Sequence, residues 1–98
     1  MKSRMNRTKT ALELASYLGL SPAEGAELEF RTILNNKIVD IVSLEGLTHL
    51  QVAKLCGTSR TRITAILNRN TSDVSTDLML RILASLGYEA KVKFRKVS

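Results

Sequence analysis

Apolar residues along most of the chain recur at steps of three and four, the spacing that places side chains on one face of a helix. Thr10 and Ser21 precede two of these runs, and each has a glutamate three residues later, as a helix-capping box requires. Glycines at positions 19, 46 and 87 follow the runs and end them. The pattern predicts five helices, at residues 11–18, 22–45, 48–56, 60–69 and 76–86.

The two sides of the longest predicted helix, 22–45, differ in polarity. Its apolar face is expected to hold Phe30, Ile33, Leu34, Ile38, Ile41 and Val42. Its polar side is expected to hold Asn35, Asn36, Lys37 and Asp40. In the next helix Thr48 and Gln51 predict another capping box. The core side of that helix is expected to hold Leu50, Val52, Ala53 and Cys56.

The period changes to two over residues 88–95. Apolar Tyr88, Ala90, Val92 and Phe94 alternate there with charged residues, which is typical of a strand with one buried face. The pattern predicts no other strand, and a lone strand leaves its backbone N–H and C=O groups unpaired. We therefore expect this strand to pair with the same strand of a second copy across a two-fold axis, which makes the protein a homodimer.

The predicted fold is all-α, a five-helix bundle with one short C-terminal strand that pairs across a dimer. A chain of 98 residues fits one small domain, which we place at residues 10–98. Residues 1–9 form a basic arm that contains Lys2, Arg4, Arg7 and Lys9. Such an arm is either a solvated tail or a segment that lies along a phosphate backbone.

The positive net charge of the chain limits the kinds of molecule that it is expected to bind. Its 15 Lys and Arg against 9 Asp and Glu give a net charge of +6 and a pI near 9.9. This balance suits nucleic acid, an acidic protein or a membrane surface. No apolar run approaches the roughly 20 residues that cross a bilayer, and the basic start lacks the apolar core of a signal peptide. We expect a soluble, unexported, cytoplasmic protein.

The single cysteine and the single histidine exclude several kinds of site. Cys56 cannot form an internal disulfide, and Cys56 with His49 supplies too few ligands for a zinc site. We interpret Cys56 as a buried thiol that packs like a small apolar side chain, rather than as a nucleophile or redox sensor. No metal or cofactor is expected, and the lack of paired acids or a nucleophile turn argues against an enzyme.

The stretch from Leu47 to Asn68 has the spacing of two short helices joined by a tight turn. Ala53 is small enough to let the two backbones approach, and Gly57 accepts the positive φ that a rapid reversal requires. Ile63 and Ile66 then anchor the second helix to the core.

The outer face of the predicted helix 60–69 carries polar and basic side chains and no acid. This face holds Arg60, Thr61, Thr64, Ala65 and Asn68, with Arg62 and Arg69 beside it. A surface that only solubilises usually mixes both signs of charge. The face therefore favours contact with nucleic acid, and the alternative is an ordinary solvated helix surface.

Two runs of sequence together resemble a known family. GLTHLQVAKLCGTSRTRITAILN, followed by VSTDLMLRILASLGYEAKVKF, is similar to the Cro/repressor-like (XRE-type) helix-turn-helix proteins over roughly residues 11–94. The likeness is to a small branch of that family with a long preceding helix and a C-terminal strand. Many members of this branch resemble HigA-like antitoxins of type II toxin–antitoxin pairs.

The resemblance implies that helix 60–69 docks in the major groove of DNA while helix 48–56 crosses the backbone. The implied contacts to base edges are Arg60, Thr61, Thr64 and Asn68. The implied contacts to phosphates are Thr48, His49, Ser59, Arg62 and Arg69. The family usually has glutamine where His49 stands. It often has glycine where Arg69 stands, so Arg69 either lengthens the helix or adds a phosphate contact.

Two functions follow from this resemblance. The first is a homodimeric, sequence-specific DNA-binding regulator, a repressor or autorepressor, that binds a palindromic operator. The second is an antitoxin that mainly binds and neutralises a small toxin protein, with autoregulatory DNA binding; residues 11–45 exceed what a minimal helix-turn-helix needs. Neither function is enzymatic, and neither uses a membrane.

Overall fold

The structure is a computed structural model that describes residues 17–96. Over these residues it contains four α-helices: α1 (Pro22–Glu45), α2 (His49–Cys56), α3 (Arg60–Leu67) and α4 (Thr76–Ser85). The all-α class is confirmed, with four helices rather than five in the described part. The predicted arm 1–9 and residues 11–16 of the first predicted helix lie outside it. The chain divides into two compact units, residues 1–33 and 34–98, and α1 contributes to both.

Each of the four helices starts at a residue that caps its backbone. The Ser21 N–H donates to Glu24 Oε1 at 2.8 Å and the Glu24 N–H donates to Ser21 Oγ at 3.1 Å, which confirms the capping box of α1. The hydrogen bond from the Ser21 backbone lowers the pKa of the Glu24 carboxyl. Thr48 and Gln51 form the capping box that the sequence predicts for α2.

A three-residue turn separates α2 from α3. Gly57 adopts φ +67° and ψ +35° in this turn, and its N–H donates to the carbonyl of Ala53. An L side chain at such a φ brings its Cβ against the following carbonyl oxygen, so glycine is the least strained residue here. This confirms the prediction of a positive φ at Gly57.

The core of the second unit joins side chains from all four helices. Its most deeply buried members, each under 2% exposed, are Ile38, Val52, Ile63, Ile66, Met79 and Ile82. Ala53 is 4% exposed, in keeping with its predicted place between helix backbones. Burying an aliphatic side chain of this size contributes roughly 1.5–3 kcal/mol to stability, so this cluster is what holds α3 in position.

Three side chains lie on the opposite side of their helix from the one the sequence predicts. Asn35 is buried, with 5% exposed, whereas Ile33 and Leu50 are 57% and 52% exposed. Asn35 comes three residues before the buried Ile38 and therefore shares its face. Ile33 comes five residues before Ile38, about 140° away around the helix, and Leu50 comes two residues before buried Val52. Helical periodicity thus explains all three positions.

The helix predicted at residues 60–69 is shorter in the structure, because α3 ends at Leu67 and not at residue 69. Asn68 caps it with φ −94° and ψ 6°. Arg69 then takes φ +58°, in the left-handed region that residues with a Cβ rarely adopt. The suggestion that Arg69 lengthens the helix is therefore wrong. The helix predicted at 76–86 also ends slightly early, at Ser85.

The strand predicted at residues 88–95 is not formed in the described chain, where residues 88–96 have no regular secondary structure. A strand requires hydrogen bonds to a neighbouring strand, and the described part of this single chain provides none. The backbone bond from the Tyr88 N–H to the Leu83 carbonyl, at 2.9 Å, belongs to the end of α4. Val92 and Phe94 are 58% and 89% exposed. Pairing with a second copy stays a prediction.

Candidate nucleic-acid interface

The outer surface of α3 is made by residues that follow the Ser59 cap. The side-chain oxygen of Ser59 accepts from the Arg62 N–H at 3.1 Å, which starts the helix at Arg60. Arg60, Thr61 and Arg62 are all exposed in its first turn. Ile63 and Ile66 are 1% and 0% exposed and hold the opposite side of α3 in the core. The basic end of α3 is therefore directed outward by its own buried anchor.

The predicted base-contacting residues occupy different environments. Arg60, Thr61 and Asn68 are exposed, and Thr64 is half-buried. Asn68 lies beyond the helix as its C-terminal cap, and its N–H donates to the carbonyls of Ile66 and Thr64. The structure therefore brings Arg60, Thr61 and Thr64 together on α3, whereas Asn68 stands at the far end.

α3 contains two arginines and no acidic residue. Its N-terminal end also carries the partial positive charge of the helix dipole, which favours an anion there. The polar groups at this end are all donors or hydroxyls. This combination attracts phosphate and offers donors to the acceptor atoms of guanine.

A hydrogen bond joins α2 to the outer part of α3. His49 Nδ1 lies 2.8 Å from Thr64 Oγ1, and both residues are half-buried. If the ring carries its proton on Nε2, Thr64 donates to Nδ1 and the Nε2–H is the remaining donor. The opposite tautomer makes Nδ1 the donor and leaves Nε2 as an acceptor. In both cases Nε2 is the only ring nitrogen left for an external group.

The N-terminal ends of α2 and α3 border one open depression. It has a volume of about 560 Å³ and is lined by Thr48, His49, Leu50 and Arg60. Thr48 Oγ1 accepts from the Gln51 N–H at 3.1 Å, so its own O–H is left to donate outward. The depression thus combines a hydroxyl, an imidazole and a guanidinium on its walls, a set of groups that suits an anionic group of DNA.

Two asparagines of α1 contact the end of α3. Asn35 Nδ2 donates to the Ile66 carbonyl at 3.1 Å, in the last turn of α3, and Asn35 Oδ1 is buried without a partner. Arg69 Nε donates to Asn36 Oδ1 at 3.2 Å. The guanidinium of Arg69 has four further N–H donors, so this bond orients the side chain and leaves donors for another group. These contacts fix the end of α3 relative to the part of α1 in the same unit.

The importance of Asn35 is not apparent from residue type, since asparagine usually lies at the surface. One signal is present in the sequence. Asn35 comes three residues before Ile38 and seven before Val42, which is the spacing of the buried face. A polar residue on that spacing indicates a buried hydrogen bond.

Other kinds of site receive no support over residues 17–96. No cluster of three or more His, Cys, Asp or Glu in that range has metal-binding geometry. Burial raises the pKa of the Cys56 thiol, and its Sγ lies 3.9 Å from the Ile82 carbonyl. A raised pKa reduces the thiolate fraction, so Cys56 has the character of a packing residue. None of the helices in that range is both long and apolar enough to cross a membrane.

Comparison with known proteins gives a family match over most of the chain. A family model described as a helix-turn-helix domain matches residues 17–95. No curated protein and no solved structure matches the chain. The matched range includes all four described helices and the segment that follows α4.

Proposed function

The chain belongs to the helix-turn-helix domain family, and from this we propose that it is a sequence-specific transcriptional regulator that binds double-stranded DNA without enzymatic activity. The single observation that carries the proposal is the outer surface of α3. Arg60, Thr61 and Arg62 are exposed there on a helix without an acid, while Ile63 and Ile66 anchor its other side.

In this proposal α3 enters the major groove and α2 crosses the phosphate backbone. Arg60 is exposed at the start of α3 and bonds guanine O6 and N7 through two guanidinium donors. The methyl groups of Thr61 and Thr64 contact thymine methyls. Asn68 meets an adenine from the end of the helix rather than from within it, so we expect its contribution to preference to be smaller than that of Arg60.

The phosphate contacts surround this base-reading set. Thr48 and Ser59 use their hydroxyl oxygens to cap α2 and α3, and each hydroxyl hydrogen donates to a phosphate. His49 contributes Nε2, because Nδ1 is bonded to Thr64, and a phosphate oxygen at Nε2 requires the tautomer with its proton there. Arg62 and Arg69 supply charge at the two ends of α3. These groups set the position of α3 on the duplex without reading its sequence.

We further propose that the regulator is a homodimer that binds two half-sites about one helical turn, roughly 34–36 Å, apart. The exposed apolar side chains of Val92 and Phe94, at 58% and 89%, support this part of the proposal. So does the alternating pattern of residues 88–95, which suits a strand with one covered face. Such a dimer acts as a repressor or autorepressor when its operator overlaps a promoter.

A second candidate is an antitoxin that binds a small toxin protein and represses its own synthesis. Tyr17, Leu18 and Ile33 favour it, since these side chains of the first unit are 76%, 63% and 57% exposed. Apolar side chains that stay exposed are available to pack against a protein partner. Capture of a small protein from the native host by the full chain supports this candidate, and loss of that capture in Ile33→Glu ties it to the first unit.

A gel-shift experiment at fixed salt tests the main proposal. Arg60→Ala combined with Thr64→Ala should lower operator affinity by at least tenfold and reduce the preference over unrelated DNA, because both remove contacts to bases. Arg81→Ala is the matched control, since it removes one arginine that is exposed on α4. Equal loss for operator and unrelated DNA would mean that α3 does not read sequence.

A further inference from the structure

The segment of residues 88–96 carries the inference, because Val92 and Phe94 stay largely exposed in it, whereas the Tyr88 ring lies 5.5 Å from Lys37 Nζ. Phe94 is 89% exposed and Val92 is 58% exposed. The charged residues alternate with them as Glu89, Lys91 and Lys93, so one face of an extended segment is apolar and the other is charged. A partner strand must match both faces.

A second copy of the same segment meets this requirement only in an antiparallel arrangement. Two parallel segments aligned by symmetry place every residue beside itself, so each lysine faces a lysine. In an antiparallel pair, opposite residues share a face, and their two numbers have a constant sum. An odd sum sets apolar residues opposite charged ones, so the sum must be even.

Three even registers set Glu89 opposite a basic residue of the other copy. A sum of 180 pairs Glu89 with Lys91, but its ladder ends at Val92 and leaves Phe94 without cover. A sum of 184 pairs Glu89 with Arg95, but sets Lys91 opposite Lys93 at two places. A sum of 182 pairs Glu89 with Lys93 at two places and sets like charges together only once, where Lys91 meets itself on the axis.

The register with the sum of 182 also pairs the aromatic side chains. It puts Tyr88 opposite Phe94 at both ends of the ladder, and aromatic cross-strand pairs stabilise sheets. The Tyr88 N–H already donates to the Leu83 carbonyl at 2.9 Å within its own chain. This N–H is therefore not needed by a partner strand. Tyr88 and Phe94 suit a non-hydrogen-bonded pair, the type in which opposite side chains lie closest together.

We infer that residues 88–94 of two copies form an antiparallel ribbon centred on Lys91, in which Glu89 of each copy pairs with Lys93 of the other. This inference rests on the proposed homodimer and specifies its interface. The ribbon holds the two α3 helices of the dimer in one relative orientation, because only Leu86 and Gly87 separate α4 from residue 88 in each copy. The segment is thus the element that sets half-site spacing.

Charge reversal tests the register in the full chain. Glu89→Lys alone should raise the dimer dissociation constant roughly tenfold at low salt, since two attractive cross-strand pairs become repulsive. Glu89→Lys with Lys93→Glu should restore it to within about threefold of the unchanged protein. Sedimentation equilibrium measures these constants. Circular dichroism should show the same helix content in all variants, because the changes lie outside the helices.

Two other double variants are matched controls with the same net charge. Glu89→Lys with Lys91→Glu restores dimerisation only if the sum is 180, and Glu89→Lys with Arg95→Glu only if the sum is 184. Restoration by either of these instead of Lys93→Glu overturns the inferred register. The ribbon itself is overturned if the unchanged chain is monomeric in sedimentation equilibrium. It is also overturned if the chain dimerises with a dissociation constant that none of these variants changes.

The ribbon and the proposed DNA binding can be tested independently of each other. A monomer that still prefers one DNA sequence in a gel shift leaves the DNA-binding proposal intact and removes the ribbon. A dimer with the expected charge dependence but without DNA preference supports the ribbon and removes the DNA-binding proposal.

Discussion

His49 of α2 and Thr64 of α3 are joined by a hydrogen bond of 2.8 Å between Nδ1 and Oγ1. The bond fixes the rotamer of a threonine that we propose contacts a base. It also occupies Nδ1 of a histidine that we propose contacts a phosphate. The two proposed contacts are therefore physically coupled.

A double-mutant cycle on DNA affinity tests this coupling. Thr64→Val removes the bond and should weaken operator binding by roughly fivefold, the equivalent of one neutral hydrogen bond. His49→Ala removes the same bond together with the proposed phosphate contact and should weaken binding further. The double variant should bind DNA almost as tightly as the single variant with the lower affinity, because the bond is lost only once. Thr61→Val with His49→Ala is the control pair and should be additive. Additive losses for His49 and Thr64 would show that their bond does not matter for binding.

Asn35 should contribute more to stability than its neighbour Asn36. Asn35→Ala removes the 3.1 Å bond to the Ile66 carbonyl, which keeps the Arg69 N–H as a donor, and should lower the free energy of unfolding by about 0.5–1.5 kcal/mol. Asn36→Ala removes an exposed bond to Arg69 and should cost less than about 0.5 kcal/mol. Urea unfolding monitored by circular dichroism measures both. Equal costs would contradict the buried role of Asn35.

Arg69 should affect stability and DNA binding in opposite directions. Its φ of +58° is strained for a residue with a Cβ, so Arg69→Gly should keep or raise the free energy of unfolding, by up to about 1 kcal/mol. The same change removes one phosphate contact and should reduce the salt slope of DNA binding by about 1. Arg69→Ala retains the strain and loses the charge, so it should be less stable than Arg69→Gly. An unchanged salt slope in both variants would exclude a phosphate contact.

The start of α1 should depend on pH through Glu24. The Ser21 backbone N–H donates to this carboxylate and lowers its pKa. A carboxyl with a lowered pKa contributes stability that is present above its unfolded pKa and is lost as the pH falls through its folded pKa. An NMR titration should therefore place the Glu24 pKa below the usual value of about 4.3. Pro22→Ala should preserve this shift, whereas an unshifted Glu24 would mean that the box does not form in solution.

Local signals in the sequence predicted much of the fold. Ser21 and Thr48 cap their helices, and Gly57 adopts the positive φ that its turn requires. Each of these depends on a residue and its near neighbours, so the information is local. The burial of Ile63 and Ile66 follows from helical periodicity in the same way.

The sequence predictions failed where distant contacts decide the outcome. Helical spacing puts Asn35 on the buried face of α1, but the carbonyl that its amide meets lies 31 residues away, and residue type alone pointed to the surface. The end of α3 was placed two residues late, because nothing local marks Arg69 as a left-handed residue. The strand at 88–95 has a clear alternation but needs a partner strand. Of the candidate site, the basic face of α3 was predictable, whereas the bond between His49 and Thr64 was not.

The most direct test of the central proposal is selection of bound sequences from random double-stranded DNA by the full chain. We predict that it enriches one palindromic site, with two half-sites centred about one helical turn apart and a guanine in each that Arg60→Ala no longer selects. Recovery of random sequence at a salt concentration where the chain still binds DNA would contradict the proposal.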